Sequence, residues 1–131
     1  MDVRSNVAAV RGPEDRFTGD VWLTPITTGT TPTHVHSAVV RFAPGARTGW
    51  HMHPVGQTIY ITEGLCLVQV AQGRVQVFRE GDVIRFHAGL WHWHGAGRDT
   101  FMSHIAITDG QDDGPETVWG ALVSDQEYNQ H

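Results

Sequence analysis

With 131 residues the chain is long enough to close one core and too short for two, and its hydrophobic (40%) and charged (18%) fractions are those of a globular protein without a membrane-spanning apolar run. The net charge of −5, with no cluster of basic residues, excludes a nucleic-acid surface, and because all nine basic residues are arginine there is no lysine for Schiff-base or amine-base chemistry. Nine histidines are the anomaly of this composition and point to metal binding or acid–base chemistry.

The opening "MDVRSNVAAVRGPEDRF" lacks the apolar core and cleavage site of a secretory signal. The lone Cys66 has no internal disulfide partner, so the expected address is the cytoplasm. Strands then follow one another. "GDVWLTPI" (19–26) reads as the first, followed by a polar turn, and "HVHSAVVRFA" (34–43) as the second, ended by Pro44-Gly45. "HPVGQTIYITEG" supplies another, stopped at Glu63-Gly64. "LCLVQVAQGRVQVFREGD" reads as a hairpin turning at Gln72-Gly73, with β-branched residues on both arms. "DVIRFHAG", "WHWHGAG" and "TFMSHIAI" complete the set, and "TVWGALV" is a final strand after the acidic run "DGQDDGPE", which is expected to be a solvated loop. Only the C-terminus predicts helix, where Ser124 and Glu127 form a capping box over "DQEYNQ". The expected fold class is all-β, a sandwich or barrel with a short C-terminal helix, in one domain spanning 1–131 around a core of about 34–108.

Alternation along a strand sends residues two apart to one face. His51 and His53 therefore point together, as do His92 and His94, while Trp91 and Trp93 face the other way. His104 aligns with Met102 and Ala106, and His36 with Ala38, Val40 and Phe42. Six histidines thus fall on faces that otherwise carry apolar or small residues, where an unpaired ring is costly. A shared metal ion satisfies several at once; a hydrogen-bonded cluster of core histidines is the structural alternative.

The stretch "GARTGWHMHPVGQTIYITEG" matches the first cupin motif, G(x)5HxH(x)3E(x)6G, at every spacing, with Gln57 in the glutamate position. The stretch "GDVIRFHAGLWHWHGA" matches the second, G(x)5PxG(x)2H(x)3N, through Gly81, Gly89 and His92, with His87 and Ala96 replacing the proline and asparagine. The chain resembles a small single-domain cupin. That resemblance implies a jelly-roll β-barrel with one divalent metal ion in its mouth, held by His51, His53, Gln57 and His92. "RFTGDV", "PGARTGWHMHPVGQT", "WHWHGA", "SHIAI" and "VSDQEY" are together similar to the bacterial cupin group that contains manganese-dependent (R)-selective hydroxynitrile lyases.

Gln57 leaves the ion's charge uncompensated, which favours an anionic further ligand and eases deprotonation of a bound hydroxyl. Its amide oxygen is a hard donor suited to Mn2+, with Fe2+, Zn2+ and Ni2+ as alternatives. The first functional expectation is a lyase that cleaves or forms cyanohydrins from an aldehyde and cyanide. His94 is then the first choice of base or proton carrier and His104 the second, both with a supporting role as the alternative. Ala38 and Val40 line the substrate pocket, and His36 falls either at its mouth or in solvent. A metal-dependent oxygenase or decarboxylase, or a non-enzymatic small-molecule binder, is the competing expectation.

Trp50, Trp91 and Trp93 are expected to pack away from the metal, and Cys66 to be a small buried hydrophobe. Arg47 is assigned either to guarding the pocket or to the surface after the Pro-Gly turn. Apolar outer faces and sheet edges predict a homo-oligomer, a dimer or tetramer, with a small-molecule substrate as the other partner.

Overall fold

The computed structural model describes the whole chain, residues 1–131. In chain order the strands are β1 (Val10–Arg11), β2 (Phe17–Thr18), β3 (Val21–Thr28), β4 (Val35–Phe42), β5 (Arg47–Thr48), β6 (His51–Met52) and β7 (Gln57–Glu63). There follow β8 (Leu65–Val70), β9 (Gln76–Arg79), β10 (Val83–Phe86), β11 (His92–Ala96), β12 (Met102–Asp109) and β13 (Val118–Trp119), then one helical turn, α1 (Asp125–Tyr128). The long strands lie close to where alternation and the glycine-bearing turns predict them. The β8–β9 hairpin turns at Gln72, which takes the left-handed conformation at φ 66°.

One antiparallel sheet has the order β1-β3-β4-β12-β7-β10. The second is centred on β11, whose one edge pairs with β8 and whose other edge pairs with β5 and β6. β9 extends it beyond β8, while β2 and β13 extend it beyond β5 and β6. The two sheets curl face to face into a jelly-roll barrel. Their inner faces meet in a core of 12 buried residues that includes Val21, Phe42, Ile59, Ile61, Phe86 and Met102. The period of two on β7 decides this: Ile59 and Ile61 are inside, while Thr58, Tyr60 and Thr62 face out or sit half-buried. On the outer face Val39, Ile105, Tyr60 and Val83 line up strand by strand across β4, β12, β7 and β10, an apolar surface of the kind that association covers.

The C-terminal segment closes a second cluster on the outward side of the β11 sheet. There Trp93, Leu67, Val123 and Tyr128 are buried together, with Trp50 packed against them. Trp93 and Trp50 thus pack away from the histidine face, as alternation requires. Arg47 corrects both expectations made for it, being 4% exposed and turned away from the barrel interior. Its guanidinium donates to the Val123 carbonyl at 2.8 Å, pairs with Asp125 at 2.8 Å and lies 4.6 Å from the Tyr128 ring. It is a clamp for the C-terminus. The capping box of α1 forms as predicted, with Glu127 N–H donating to Ser124 Oγ at 3.1 Å and Ser124 N–H to Glu127 Oε1 at 3.0 Å.

The predicted last strand over 117–123 is shorter than expected. Only Val118–Trp119 pair as a ladder, against Met52 and His51. At Gly120 the backbone comes so close to its neighbours that a Cβ there would meet the Trp91 ring at 3.0 Å, and the chain then leaves for the C-terminal clamp.

Candidate metal centre

β6 and β11 are adjacent and in register, so His51 stands opposite His92. Alternation returns His53 to the same side. The chain then crosses to the other sheet through a tight turn at Pro54–Gly56, where Gly56 has φ +85° and donates to the His53 carbonyl at 3.0 Å. A side chain there would meet the Phe86 carbonyl at 2.9 Å, so glycine is required. Gln57 opens β7 immediately afterwards. Ligand-capable atoms of His51, His53 and His92 all lie within 4.8 Å of one another, and these three residues could hold a metal ion.

The hydrogen bonds around the three rings decide which nitrogen is free. His51 Nδ1–H donates to the Gly49 carbonyl at 2.9 Å, His92 Nδ1–H to the Leu90 carbonyl at 2.8 Å and His53 Nδ1–H to the Glu116 carbonyl at 3.3 Å. Each neutral ring therefore presents a bare Nε2, the arrangement in which imidazole binds metals. The Nε2 atoms of His53 and His92 are buried without a hydrogen-bond partner, and so is Gln57 Oε1. The amide is oriented by its other end, since Gln57 Nε2 donates to Thr108 Oγ1 at 2.9 Å. Buried lone pairs with no partner are costly. The three grouped imidazoles fit a divalent ion, and the unpartnered Gln57 oxygen on the strand that follows is a donor of the kind such an ion would satisfy.

Burial lowers the basicity of these rings. It holds His51 well below the usual histidine range, with the neighbouring His92 adding to the effect; His53 is lowered, and His92 falls to about 4. All three are neutral at pH 7, as coordination demands. His104 is lowered by burial to about 3. A histidine whose folded pKa lies below its unfolded value of 6.5 binds fewer protons in the native state, so its contribution to stability is complete above pH 6.5. That contribution drains as pH falls towards 4 for His92 and towards 3 for His104. The metal-free protein is therefore expected to lose melting temperature steadily from pH 7 to pH 4. A flat melting profile in a pH-stepped thermal scan would contradict this.

Thr108, two residues beyond Ala106 on the same face of β12, is buried and was not singled out in the sequence, although the alternation that aligns His104 with Ala106 extends to it. Replacing it by valine removes the acceptor that aims Gln57. Thr108→Val is expected to weaken Mn2+ binding roughly 10- to 100-fold, the range for lost outer partners of a metal ligand. Calorimetric titration checks it, with circular dichroism reporting the fold.

His51, His53 and Gln57 stand at the polar end of a cavity of about 310 Å3 between the sheets. Ala38 and Val40 line it, as do Phe42, Leu23, Ala106, Phe17 and Trp119, so its middle is apolar. His94 and His104 also border it. His104 Nε2 and His94 Nδ1 are 3.2 Å apart, while His94 Nε2 and His104 Nδ1 are buried with no partner. Burial and the neighbouring His104 keep His94 far below the usual histidine range. His36 lies at the mouth, part-exposed, with its Nδ1 3.5 Å from Glu116 Oε2. Burial raises the Glu116 carboxyl, and His36 beside it pulls in the opposite direction.

Two wall residues were not anticipated. Trp119 packs against His51 with ring centroids 4.8 Å apart. Glu116 belongs to the acidic run expected to be solvated, yet its carbonyl holds His53 and its side chain borders the cavity. Nothing in its local sequence distinguishes it from its acidic neighbours.

The Cupin domain family matches residues 38–107. The chain belongs to the cupin family. This cupin is 43% identical over 121 residues to an (R)-mandelonitrile lyase of Granulicella tundricola, covering 92% of each chain. Among solved structures, a cupin-like protein of Thermotoga maritima superposes with a TM-score of 0.86 at 33% identity, covering 98% of this cupin and 95% of that chain. A polyketide cyclase of Streptomyces resistomycificus shares the fold with a TM-score of 0.72 at 20% identity, over 98% of this cupin and 91% of that chain. At that identity only the architecture is shared.

Proposed function

We propose that this cupin is a metal-dependent lyase that cleaves and forms cyanohydrins, with His51, His53, Gln57 and His92 as the ligands of one divalent ion, Mn2+ in the first instance. The observation that carries the metal site is the grouping of His51, His53 and His92 within 4.8 Å of one another, with unpartnered buried donor atoms on His53, His92 and Gln57. The likeness to a mandelonitrile lyase over most of both chains supports the reaction. The ion, when bound, supplies a Lewis acid for the substrate oxygen.

The chain's own residues then handle the proton. In one tautomer His94 donates from Nδ1 to His104 Nε2, which leaves His94 Nε2 a bare base and His104 Nδ1 a donor, both buried without a partner in residues that border the cavity. His94 Nε2 takes the hydroxyl proton of the cyanohydrin. The carbon–carbon bond to the nitrile breaks, its electron pair leaves with cyanide, and the former alcohol becomes an aldehyde. The His94 Nδ1 proton passes to His104 Nε2 while His104 Nδ1–H protonates cyanide, so the products are aldehyde and hydrogen cyanide. Both rings end neutral in the opposite tautomer, ready for the reverse addition. Two imidazoles kept neutral by burial suit a transfer in which neither accumulates charge. The apolar middle of the cavity takes the aryl or alkyl group beside Ala38 and Val40.

Incubation of the manganese-loaded protein with mandelonitrile tests the reading. Benzaldehyde release above a chelator-treated control is expected, without oxygen consumption. Oxygen uptake, or no release, would reject it.

A further inference from the structure

We propose that the rim formed by Glu116 and His36 selects substrates carrying a hydroxyl at the end remote from the reacting carbon, so that the preferred aldehyde or cyanohydrin is a hydroxyaryl compound. The inference rests on the proposed lyase reading and extends it to substrate class.

The cavity is polar at both ends and apolar between them. At one end stand Gln57, His51 and His53, with Thr117 Oγ1 3.2 Å from His53 Nδ1; at the other, the Glu116 carboxyl beside His36 and the hydroxyls of Thr27 and Thr28. Strand register gives the separation. Gln57 pairs with Thr108 and Thr108 with His36, so His36 is two strand spacings from Gln57, about 10 Å across the sheet. A single ring with substituents at opposite ends spans such a gap between inward-reaching side chains. A purely hydrocarbon ligand would leave the distal groups facing apolar surface. Glu116 is only about a third exposed, and its nearest polar partner is His36 at 3.5 Å, too long for a good hydrogen bond. The carboxyl therefore retains acceptor capacity inside the site. Thr28 sits opposite His36 on β3, so the rim also offers hydroxyls that can donate. A hydroxyl, which both donates and accepts, matches this set. The position of Glu116 is itself held, because its backbone carbonyl accepts from His53. Distal recognition is thereby tied to the segment that borders the metal centre.

Calorimetric binding of benzaldehyde and 4-hydroxybenzaldehyde to the manganese-loaded protein, without cyanide, tests the rim apart from any turnover. The wild type is expected to bind the hydroxylated aldehyde about tenfold tighter, the lower range for a hydrogen bond to a charged group. In Glu116→Ala the ratio falls towards one, and in Glu116→Gln, which keeps an acceptor oxygen, most of it survives. Equal affinity of the wild type for the two aldehydes, or an undiminished ratio in Glu116→Ala, overturns the inference. The wild-type ratio decides even where a variant fails to fold. If neither aldehyde binds, the aldehyde site itself is rejected together with its rim. If the preference holds but mandelonitrile is not cleaved, the lyase reading falls and the rim stands as a recognition element.

Discussion

His92→Ala is expected to abolish metal retention and cyanohydrin cleavage together, as read by elemental analysis of the purified protein and by benzaldehyde release from mandelonitrile. His92 is fully buried at the centre of the second sheet, its ring stacked on Phe86 at 3.6 Å and 4.3 Å from that of His51. Its Nδ1 is committed to the Leu90 carbonyl, so Nε2 is the only atom it can offer. Without it, His51, His53 and Gln57 remain, a set with one fewer nitrogen and no charge of its own. The loss of affinity should exceed the roughly 10- to 100-fold typical of removing an outer partner such as Thr108. The variant also deletes one of the buried rings that resist protonation. If metal is kept at one equivalent while cleavage disappears, His92 acts on substrate and the ligand assignment is wrong.

The second large effect concerns the proton path. His94→Leu and His104→Leu are each expected to lower kcat for mandelonitrile cleavage by roughly 10²- to 10⁴-fold, the range for a positioned acid or base, while metal content stays at the wild-type level. The double variant should be no slower than the worse single one, because a relay broken at either ring carries no proton. Supporting roles predict something different. If His94 merely braces the centre, its loss lowers metal content, and the two defects multiply in the double variant. The 3.2 Å approach of His104 Nε2 to His94 Nδ1 is what couples them, and the free outer nitrogens are what give the pair two working ends.

Local rules reached the strands because their signals are local. β-Branched runs, alternation and turn residues place β4, β7, β8, β11 and β12, and Ser124 with Glu127 places α1. Two-residue pairings such as β1, β2 and β5 carry no such signal. They exist because the barrel brings distant backbone segments alongside one another. Arg47 shows the same limit. An arginine just after Pro44-Gly45 looks like a surface residue until the C-terminal segment arrives to accept its hydrogen bonds. Glu116 was hidden for the converse reason, since an acidic loop reads as solvated unless the fold presses it against a cavity.

By itself the sequence determined the all-β class and the cupin motifs. It also determined, through the period of two, that His51 with His53 and His92 with His94 share a face. Only the tertiary structure decided which atoms those residues present. Whether a ring offers Nε2 depends on a carbonyl from Gly49, Leu90 or Glu116, and whether Gln57 offers oxygen depends on Thr108 from another strand. The bonds to Gly49 and Leu90 reach only two residues back and depend on how the barrel bends the backbone there, whereas those to Glu116 and Thr108 are made across the barrel, where spacing along the chain holds no information. Spacing names the residues of the centre; packing chooses their tautomers and aims their lone pairs.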